Sequence, residues 1–372
     1  MDVMERQESV EEKSGFRRWF WELILGIVGC LLAGGAFVVY VDPFFHYHAP
    51  LENLQYPLMR ENERYQTDGI LRNWDYDAII IGTSMTECFN TSDLNYLFGV
   101  NSVKTPLAGG LFKEMNDNLE RAFASGNDIK MVVRSFEYQC IAEDKDATKD
   151  IYDYAEYMTN DNPFDDAPYL FNKEVLGRAG QVLIHTARGR ETTSFDEYAN
   201  WMDRNYFGAS YVYLSYDHAD IASEPRMMTE EERTMIKENI QQNVVALAKQ
   251  HPDTTFYLYF PPYSIGYWDQ VCNKNELDWH LEMEQIAMEE VLKCPNIKLY
   301  SYSMREDWIL NLDNYCDLEH HAEWINYGIL VGMAADEGLL TQDNYMEYLE
   351  RERDFFGNFD YEAFWEGQYD AF

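Results

Sequence analysis

An unbroken apolar run near the start of the chain constrains the fold more than any other feature. From Trp19 to Val41 the sequence reads WFWELILGIVGCLLAGGAFVVYV, and Glu22 is its only charged residue. A helix of this length covers roughly 35 Å at about 1.5 Å per residue, which is enough to cross a bilayer. Arg17 and Arg18 precede the run, so the positive-inside rule places the N-terminus in the cytoplasm and the following residues outside. A cleaved signal peptide is the alternative, but no small-x-small site follows the run, which favours an uncleaved membrane helix.

The composition of the whole chain is strongly acidic and yet rich in apolar residues. The 372 residues include 29 Lys and Arg against 66 Asp and Glu, a net charge of −37, and 46% of them are hydrophobic. This apolar content argues against a disordered acidic chain. Nucleic-acid binding needs clustered Lys and Arg, so we expect no nucleic-acid partner. Peripheral docking on anionic lipid is disfavoured for the same reason.

The chain divides into five predicted segments. They are a cytoplasmic tail (1–18), the membrane helix (19–41), a linker (42–60), an α/β domain (61–340) and an acidic, aromatic C-terminal tail (341–372). An insertion at 141–225 interrupts the α/β domain, and either shapes substrate access or is an ordinary surface excursion. The C-terminal tail either packs its aromatic side chains on the body or docks a partner.

Apolar strands alternate with helical stretches in the predicted α/β domain. The predicted strands are Tyr76–Gly82, Asn101–Thr105, Ile129–Phe136, Thr254–Phe260 and Ile297–Tyr302. The predicted helices are Lys113–Ala124, Thr229–Lys249, Leu277–Leu292 and Ala322–Leu339. Continuous apolar strands suit a sheet that is covered on both faces. The alternation therefore predicts an α/β fold with a doubly wound parallel sheet.

Ser84 is the first candidate for chemistry. It follows the strand ending in Gly82, so it lies at the carboxyl edge of the sheet, where ligands bind in open α/β folds. A serine at a helix start is near free backbone N–H groups, which stabilise an oxyanion. The alternative is that Ser84 only caps a helix, the commonest use of serine there.

Asp317 and His320 form the second candidate, just before the last predicted helix. An Asp three residues before a His can fix the ring tautomer, and the free ring nitrogen can then take a serine proton. A solvated His at a helix start is the alternative. The sequence has no CxxC or Cys/His spacing for a metal and no P-loop or GxGxxG motif, so we expect neither a metal nor a cofactor.

The sequence resembles the SGNH/GDSL hydrolase superfamily, and within it the membrane-anchored, DltD-like bacterial proteins of cell-envelope acyl transfer. The resemblance rests on Arg64–Phe89, Leu107–Gly110, Tyr259–Ser264 and Asp317–His320, and it covers most of the chain from the apolar run to about residue 340. It implies a flavodoxin-like sheet. It also implies a serine esterase or O-acyltransferase.

The resemblance implies a role for each matching residue. Ser84 would be the nucleophile, with GTS in place of the usual GDS, and Asp317 and His320 would match the family's DxxH. The oxyanion hole would use the backbone N–H groups of Ser84 and of Gly109 or Gly110. His321, the next residue in the chain, has no role in that pattern.

One departure concerns the stretch after the third strand, where many members carry an Asn that completes the oxyanion hole. Here no GxND motif is present, and Gln139 is the available side-chain donor. The remaining pocket residues are expected near the active-site mouth: Thr83, Pro261, Pro262 and Tyr263. For the paired prolines, a rigid connection between strand and helix is the alternative.

Two classes of function follow from these residues. The first is a membrane-anchored extracytoplasmic serine esterase or O-acyltransferase acting on acyl esters of a cell-envelope polymer or glycan, with a multi-pass acyltransferase as a partner. The second is a catalytically silent SGNH-like binding or scaffold component of an envelope assembly.

Overall fold

The structure is a computed structural model that describes residues 2–149, 156–160, 162–217, 222 and 224–368. Parts of the predicted insertion 141–225 and the last residues of the predicted tail 341–372 lie outside the described residues. The strands are β1 (Ala78–Gly82), β2 (Ser102–Pro106), β3 (Met131–Ser135), β4 (Thr255–Phe260), β5 (Ile297–Ser301) and β6 (Leu339–Leu340).

The described α-helices vary widely in length. They are α1 (Asp2–Val41), α2 (Glu63–Asn73), α3 (Thr91–Phe98), α4 (Phe112–Ala124), α5 (Tyr138–Ile141), α6 (Ala167–Leu170), α7 (Lys173–Ala187), α8 (Ala209–Ser215), α9 (Glu230–Ile240), α10 (Ala246–Gln250), α11 (Ile265–Asn273), α12 (Leu277–Val291), α13 (Glu306–Ile309), α14 (Glu323–Ala334), α15 (Tyr345–Asn358) and α16 (Tyr361–Gly367). A π-helical turn, Gln241–Val245, joins α9 to α10.

The strands form one sheet in the order β2-β1-β3-β4-β5-β6. The first five strands pair in parallel, and β6 pairs antiparallel with β5. Every residue of β1, β2 and β3 is buried, as expected for a sheet covered on both faces. The structure therefore confirms the predicted α/β class and the parallel sheet. The strand order reverses between β1 and β3, which is where ligands bind in folds of this order.

The main core lies between the sheet and the helices that cover it. Ile80 of β1, Val133 of β3 and Tyr259 of β4 share a buried cluster with Ile329 and Met333 of α14. Burial of such side chains is worth roughly 1.5–3 kcal/mol each, so this cluster fixes α14 on the sheet. Because α14 follows the loop that carries His320, the same packing fixes that loop.

The chain forms two compact units. The smaller consists of residues 1–57 and 155–192, and the larger of residues 58–154 and 193–372. The predicted insertion is thus divided between the units. The predicted segment boundaries stay predictions.

In the smaller unit, α1 is the one helix among the described residues that is long and apolar enough to cross a membrane, over Gly15–Val41, a signature that a signal sequence shares. The helix also continues back to Asp2, through the predicted tail. That stretch is rich in Glu and Arg, which are good helix formers. At the other end, Val38 packs with Phe44 and Tyr169 in a small apolar cluster.

In the larger unit, the C-terminal helices pack on the body. The ring of Phe356 in α15 stacks on Trp268 of α11, with centroids 3.9 Å apart. The indole of Trp365 in α16 donates to Asp269 at 2.7 Å. In residues 341–368, the aromatic side chains of the predicted tail therefore pack on the body of the larger unit.

Candidate active site

The end of β1 presents Ser84 at the carboxyl edge of the sheet. Gly82 is required there, because a Cβ would lie 2.5 Å from Cγ2 of Thr86 and closer still to Oγ of Ser135. Thr83 then caps a short 3₁₀ helix, Ser84–Thr86, by accepting a hydrogen bond from the N–H of Met85. Ser84 is half-buried. Its N–H lies at the helix start, where amides have no intrahelical acceptor.

The side chain of Ser84 is hydrogen-bonded to a histidine that lies 236 residues later in the chain. Its Oγ is 2.7 Å from Nε2 of His320. The other ring nitrogen, Nδ1, is 2.8 Å from Oδ2 of Asp317. The structure thus brings together the three residues that were predicted from the sequence. Ser84, the candidate nucleophile, is hydrogen-bonded to His320, the candidate base, which is hydrogen-bonded to Asp317. This arrangement can move a proton from the serine to the imidazole while the carboxylate holds the ring.

The loop that carries the acid and the base is locally rigid. Oδ1 of Asp317 accepts the N–H of Glu319 at 2.9 Å and the N–H of His320 at 2.7 Å. The N–H of Cys316 donates to the carbonyl of His320 at 3.1 Å, which closes the loop. The aspartate therefore orients both the backbone and the ring of His320.

Opposing effects set the pKa of His320. Burial lowers it, but the hydrogen bond to Asp317 and the charge of that residue raise it. The charges of Glu319 and Glu137 add to the rise, and the net pKa lies above the ordinary value of 6.5. Burial raises the pKa of Asp317, but the hydrogen bond with His320, the charge of that ring and the backbone N–H groups of His320 and Glu319 together outweigh burial, and the net pKa is lowered. A base whose conjugate acid is stabilised in this way is well suited to accept a proton.

Glu319 is a further acid within this loop. Burial raises its pKa to about 7, and the charges of Glu137 and Asp317 act in the same direction. Near neutral pH this carboxyl therefore changes its charge beside the candidate base. Sequence analysis did not single out Glu319.

The Leu107–Gly110 loop lies beside the nucleophile, because the N–H of Leu107 donates to the carbonyl of Gly82 at 2.8 Å. Gly109 has a φ of 63°, a left-handed conformation that favours glycine. The N–H of Gly110 donates to the carbonyl of Leu107 at 2.6 Å, so it is already engaged within the loop. Of the two glycines predicted as oxyanion donors, Gly109 is therefore the one whose N–H remains a candidate.

Two residues of α2 hold the Leu107–Gly110 loop through hydrogen bonds. Glu63 accepts the N–H of Ala108 at 3.0 Å, and Nη1 of Arg64 donates to the carbonyl of Ala108 at 3.2 Å. That carbonyl and the N–H of Gly109 belong to the same planar peptide group and point in opposite directions. Arg64 therefore orients the Gly109 N–H away from itself and polarises it. Neither Glu63 nor Arg64 was given a role from the sequence.

Gln139 has one amide N–H engaged with a neighbouring carboxylate. Its side-chain amide donates to Oε2 of Glu137 at 3.2 Å, and the residue is exposed. Glu137 is fully buried and also accepts from Ser135 at 2.6 Å. The predicted pocket residue Thr83 is fully buried as well, with its hydroxyl directed at Glu137. Thr83 therefore does not line the pocket, whereas Gln139 remains a proposed donor through its second amide hydrogen.

The expected wall of the mouth is also buried. Pro261, Pro262 and Tyr263 are inaccessible in the structure, because they pack under the loop that carries the acid and the base. The hydroxyl of Tyr315 donates to the carbonyl of Pro262 at 2.6 Å. The next residue, Ser264, donates through Oγ to the carbonyl of Leu318 at 2.8 Å. The paired prolines therefore support that loop instead of lining the pocket.

Trp201, from the predicted insertion, contacts both ends of the Ser–His pair. Its indole N–H donates to the carbonyl of Ser84 at 3.3 Å. Its ring lies edge-on to the imidazole of His320, with centroids 5.7 Å apart at 83°. Sequence analysis missed it, since aromatic content was the only signal in a segment without clear periodicity. Among the described residues, no group of three or more His, Cys, Asp or Glu is arranged to hold a metal ion.

Comparison with known proteins adds little to this geometry. No protein-family model matches the sequence, and no curated protein matches it. One similar solved structure is a protein from Streptococcus pneumonia described provisionally as a platelet activating factor. That match has 11% identity and a TM-score of 0.38, and it covers 75% of this chain and 91% of the other. The chemistry of the site therefore rests on its own residues.

Proposed function

We propose that this protein is a serine esterase or O-acyltransferase of the SGNH type. One observation carries the proposal: the continuous hydrogen-bonded series from Ser84 Oγ to His320 Nε2 and from His320 Nδ1 to Asp317, at 2.7 and 2.8 Å. It lies at the carboxyl edge of the sheet, beside the point where the strand order reverses. Serine nucleophiles in unrelated folds use this same arrangement.

The proposed reaction proceeds through an acyl-enzyme. Ser84 Oγ attacks the ester carbonyl as His320 Nε2 takes its proton, and Asp317 stabilises the imidazolium. The carbonyl oxygen becomes an oxyanion, for which the N–H groups of Ser84 and Gly109 are the proposed donors. The C–O bond of the ester then breaks, and the leaving alcohol receives the proton from His320. Water, or a hydroxyl of the acceptor, then attacks the acyl-enzyme by the reverse sequence of proton transfers.

The proposed location and substrate follow from α1 and from the charge. With α1 in the membrane and the N-terminus in the cytoplasm, the catalytic domain faces the extracytoplasmic side. Acyl esters of a cell-envelope polymer or lipid-linked glycan are the proposed substrates, and a multi-pass acyltransferase is the proposed source of acyl groups. A net charge of −37 favours an uncharged or cationic substrate over a polyphosphate.

A fluorophosphonate probe tests the proposal directly, because it phosphorylates only an activated serine. We expect the full-length protein in detergent to be labelled, and Ser84→Ala and His320→Ala to lose the label. Ser92→Ala, which removes an exposed serine nearby in the chain, is the matched control and should retain it. An unlabelled folded protein would refute the esterase assignment.

A silent scaffold is the second candidate, and Glu137 is the observation that favours it. A buried carboxylate follows β3, in the stretch of chain where many SGNH members carry the Asn of the oxyanion hole, and it also engages the Gln139 amide. The scaffold hypothesis expects no probe labelling and no turnover of small acyl esters. Turnover of p-nitrophenyl acetate that is lost in Ser84→Ala would exclude it. Faster turnover on adding a sugar acceptor would favour transfer over hydrolysis.

A further inference from the structure

Helix α7 of the smaller unit exposes an apolar stripe, which we define as Leu176, Leu183 and Ile184. These side chains are 37%, 41% and 52% exposed. Their spacing of i, i+7 and i+8 places them on one side of the helix. A different side holds the buried residues, Val175, Ala179 and Val182. The helix therefore has one apolar side that is buried and a second that is partly exposed.

The charge of this part of the chain is opposite to that of the whole. Residues 173–190 hold four cations and one acid, a net charge of +3, in a chain whose net charge is −37. The cations are Lys173, Arg178, Arg188 and Arg190, and the acid is Glu174. Lys173, Arg188 and Arg190 are exposed. An exposed apolar stripe flanked by cations is the pattern of helices that lie in a lipid interface.

Contacts with α1 place the start of α7 at membrane depth. A Cβ on Gly35 would lie 3.8 Å from the ring of Phe171, which lies just before α7. Gly35 lies six residues before Val41 at the end of the apolar helix, or roughly 9 Å along its axis at about 1.5 Å per residue. Val38 and Val175 share the same small apolar cluster. With α1 across a bilayer, the start of α7 is therefore level with the outer interface.

We propose that α7 is an interfacial helix seated on the outer leaflet of the membrane. Its apolar stripe faces the ends of the acyl chains, and Arg188 and Arg190, just after the helix, reach the lipid phosphates. The net charge of the whole chain disfavours such docking, but the local charge of residues 173–190 favours it, because screening confines the interaction to about 8–10 Å. The proposal rests on α1 spanning the membrane and is independent of the ester chemistry.

Photocrosslinking in lipid tests this assignment. The full-length protein carries p-benzoylphenylalanine at Ile184 and is reconstituted in nanodiscs of phosphatidylcholine and phosphatidylglycerol. We expect a crosslink to lipid. The matched control is Gln181, which is exposed on the polar side of the same helix and should give a several-fold lower lipid yield. Leu32, which is 69% exposed on α1, reports on the anchor itself.

The possible outcomes distinguish a failure of the interfacial-helix proposal from a failure of its premise, that α1 spans the membrane. A lipid crosslink at Leu32 with none at Ile184 overturns the interfacial helix alone. A crosslink from Ile184 to a second protein chain also overturns it, and assigns the stripe to an interface between copies. No lipid crosslink at Leu32 removes the anchor and the proposal together. Replacing phosphatidylglycerol by phosphatidylcholine should lower the yield at Ile184, and an unchanged yield would overturn the role of the arginines.

Discussion

The hydroxyl of Thr83 lies 2.6 and 2.7 Å from the two carboxylate oxygens of Glu137, one residue before the candidate nucleophile. Glu137 is fully buried and lies two residues after the end of β3, whereas Thr83 lies immediately after β1. This contact therefore ties the two strands together at the point where the strand order reverses. The negative charge placed there also acts on His320 and Glu319.

Glu137→Gln should shift the pH dependence of the reaction towards acid. The charge of Glu137 raises the pKa of His320, so its removal lowers that pKa and leaves the imidazole neutral at lower pH. We expect the acid limb of the probe-labelling rate to move down by roughly half a pH unit. Glu120→Gln, on an exposed site of α4, is the control and should leave the limb in place. An unchanged limb in Glu137→Gln would show that its charge does not reach the base.

Asp317→Asn should abolish most of the activity without unfolding the protein. The amide cannot hold the Nδ1–H tautomer or stabilise the imidazolium, so the labelling rate should fall on the order of 10³-fold or more. The acid limb of any residual activity should lie lower, because Asp317 is the main cause that raises the pKa of His320. Asp313→Asn, exposed in the same part of the chain, should label as the parent does. Equal rates for the two variants would contradict the assigned role.

Arg64→Ala tests the positioning of the Gly109 N–H. Loss of the Arg64 side chain leaves the carbonyl of Ala108 without this hydrogen bond. We therefore expect the labelling rate to fall by about tenfold, which is less than the ~10²–10³-fold rate loss caused by removing a whole oxyanion donor. Arg121→Ala removes an ion pair with Asp68 at 2.7 Å that does not touch the loop. If both variants lose activity in proportion to their loss in melting temperature, Arg64 is merely structural.

Glu284→Gln should make stability less sensitive to alkali. Burial raises the pKa of Glu284 to about 8, so the folded state binds a proton that the unfolded state releases at lower pH. The free energy of unfolding therefore falls as pH rises from about 4.5 to 8. The neutral amide removes this dependence, and at pH near 8 the variant should be more stable by on the order of 1–3 kcal/mol. The measurement is the melting temperature across this pH range.

The exposed neighbour Glu289→Gln provides the control for that experiment. Its melting curve should follow the parent at each pH. A parent protein whose stability is constant over the range would contradict the buried, protonated state of Glu284.

Phe356→Ala should destabilise the larger unit by about 3–5 kcal/mol, because it leaves a cavity against Trp268. Phe355→Ala, at the half-buried position beside it, should cost clearly less. Thermal unfolding of the two variants measures the difference. Similar melting temperatures for Phe355→Ala and Phe356→Ala would mean that the C-terminal helices contribute little to stability in solution.

The five parallel strands could be predicted from the sequence to within a few residues, because the clearest of them, β1 and β4, are nearly continuous runs of apolar and aromatic residues. For example, Thr254–Phe260 was expected and Thr255–Phe260 is observed. Strand β6 was not predicted, because a strand of two residues is too short to show an alternating pattern. The predicted helix Ala322–Leu339 extends over it, whereas the observed helix ends at Ala334. Such a strand exists only because β5 offers a free edge.

The members of the site differ in how far the sequence could find them. The order of Ser84, Asp317 and His320 along the chain was enough to place them together. The contact between Thr83 and Glu137 spans 54 residues and involves two buried side chains, so no local pattern indicates it. The burial of Pro261 and Tyr263 likewise depends on which loop packs over them, and that is a property of tertiary structure.

The sequence separation of 236 between Ser84 and His320 has a consequence for the synthesis of this protein. During synthesis the nucleophile is complete long before its base exists. Only when α14 has docked on the sheet does the imidazole reach the hydroxyl. A chain still lacking residue 320 therefore cannot form the Ser84–His320 hydrogen bond, and the proposed nucleophile gains its base only when the last part of the sheet layer is complete.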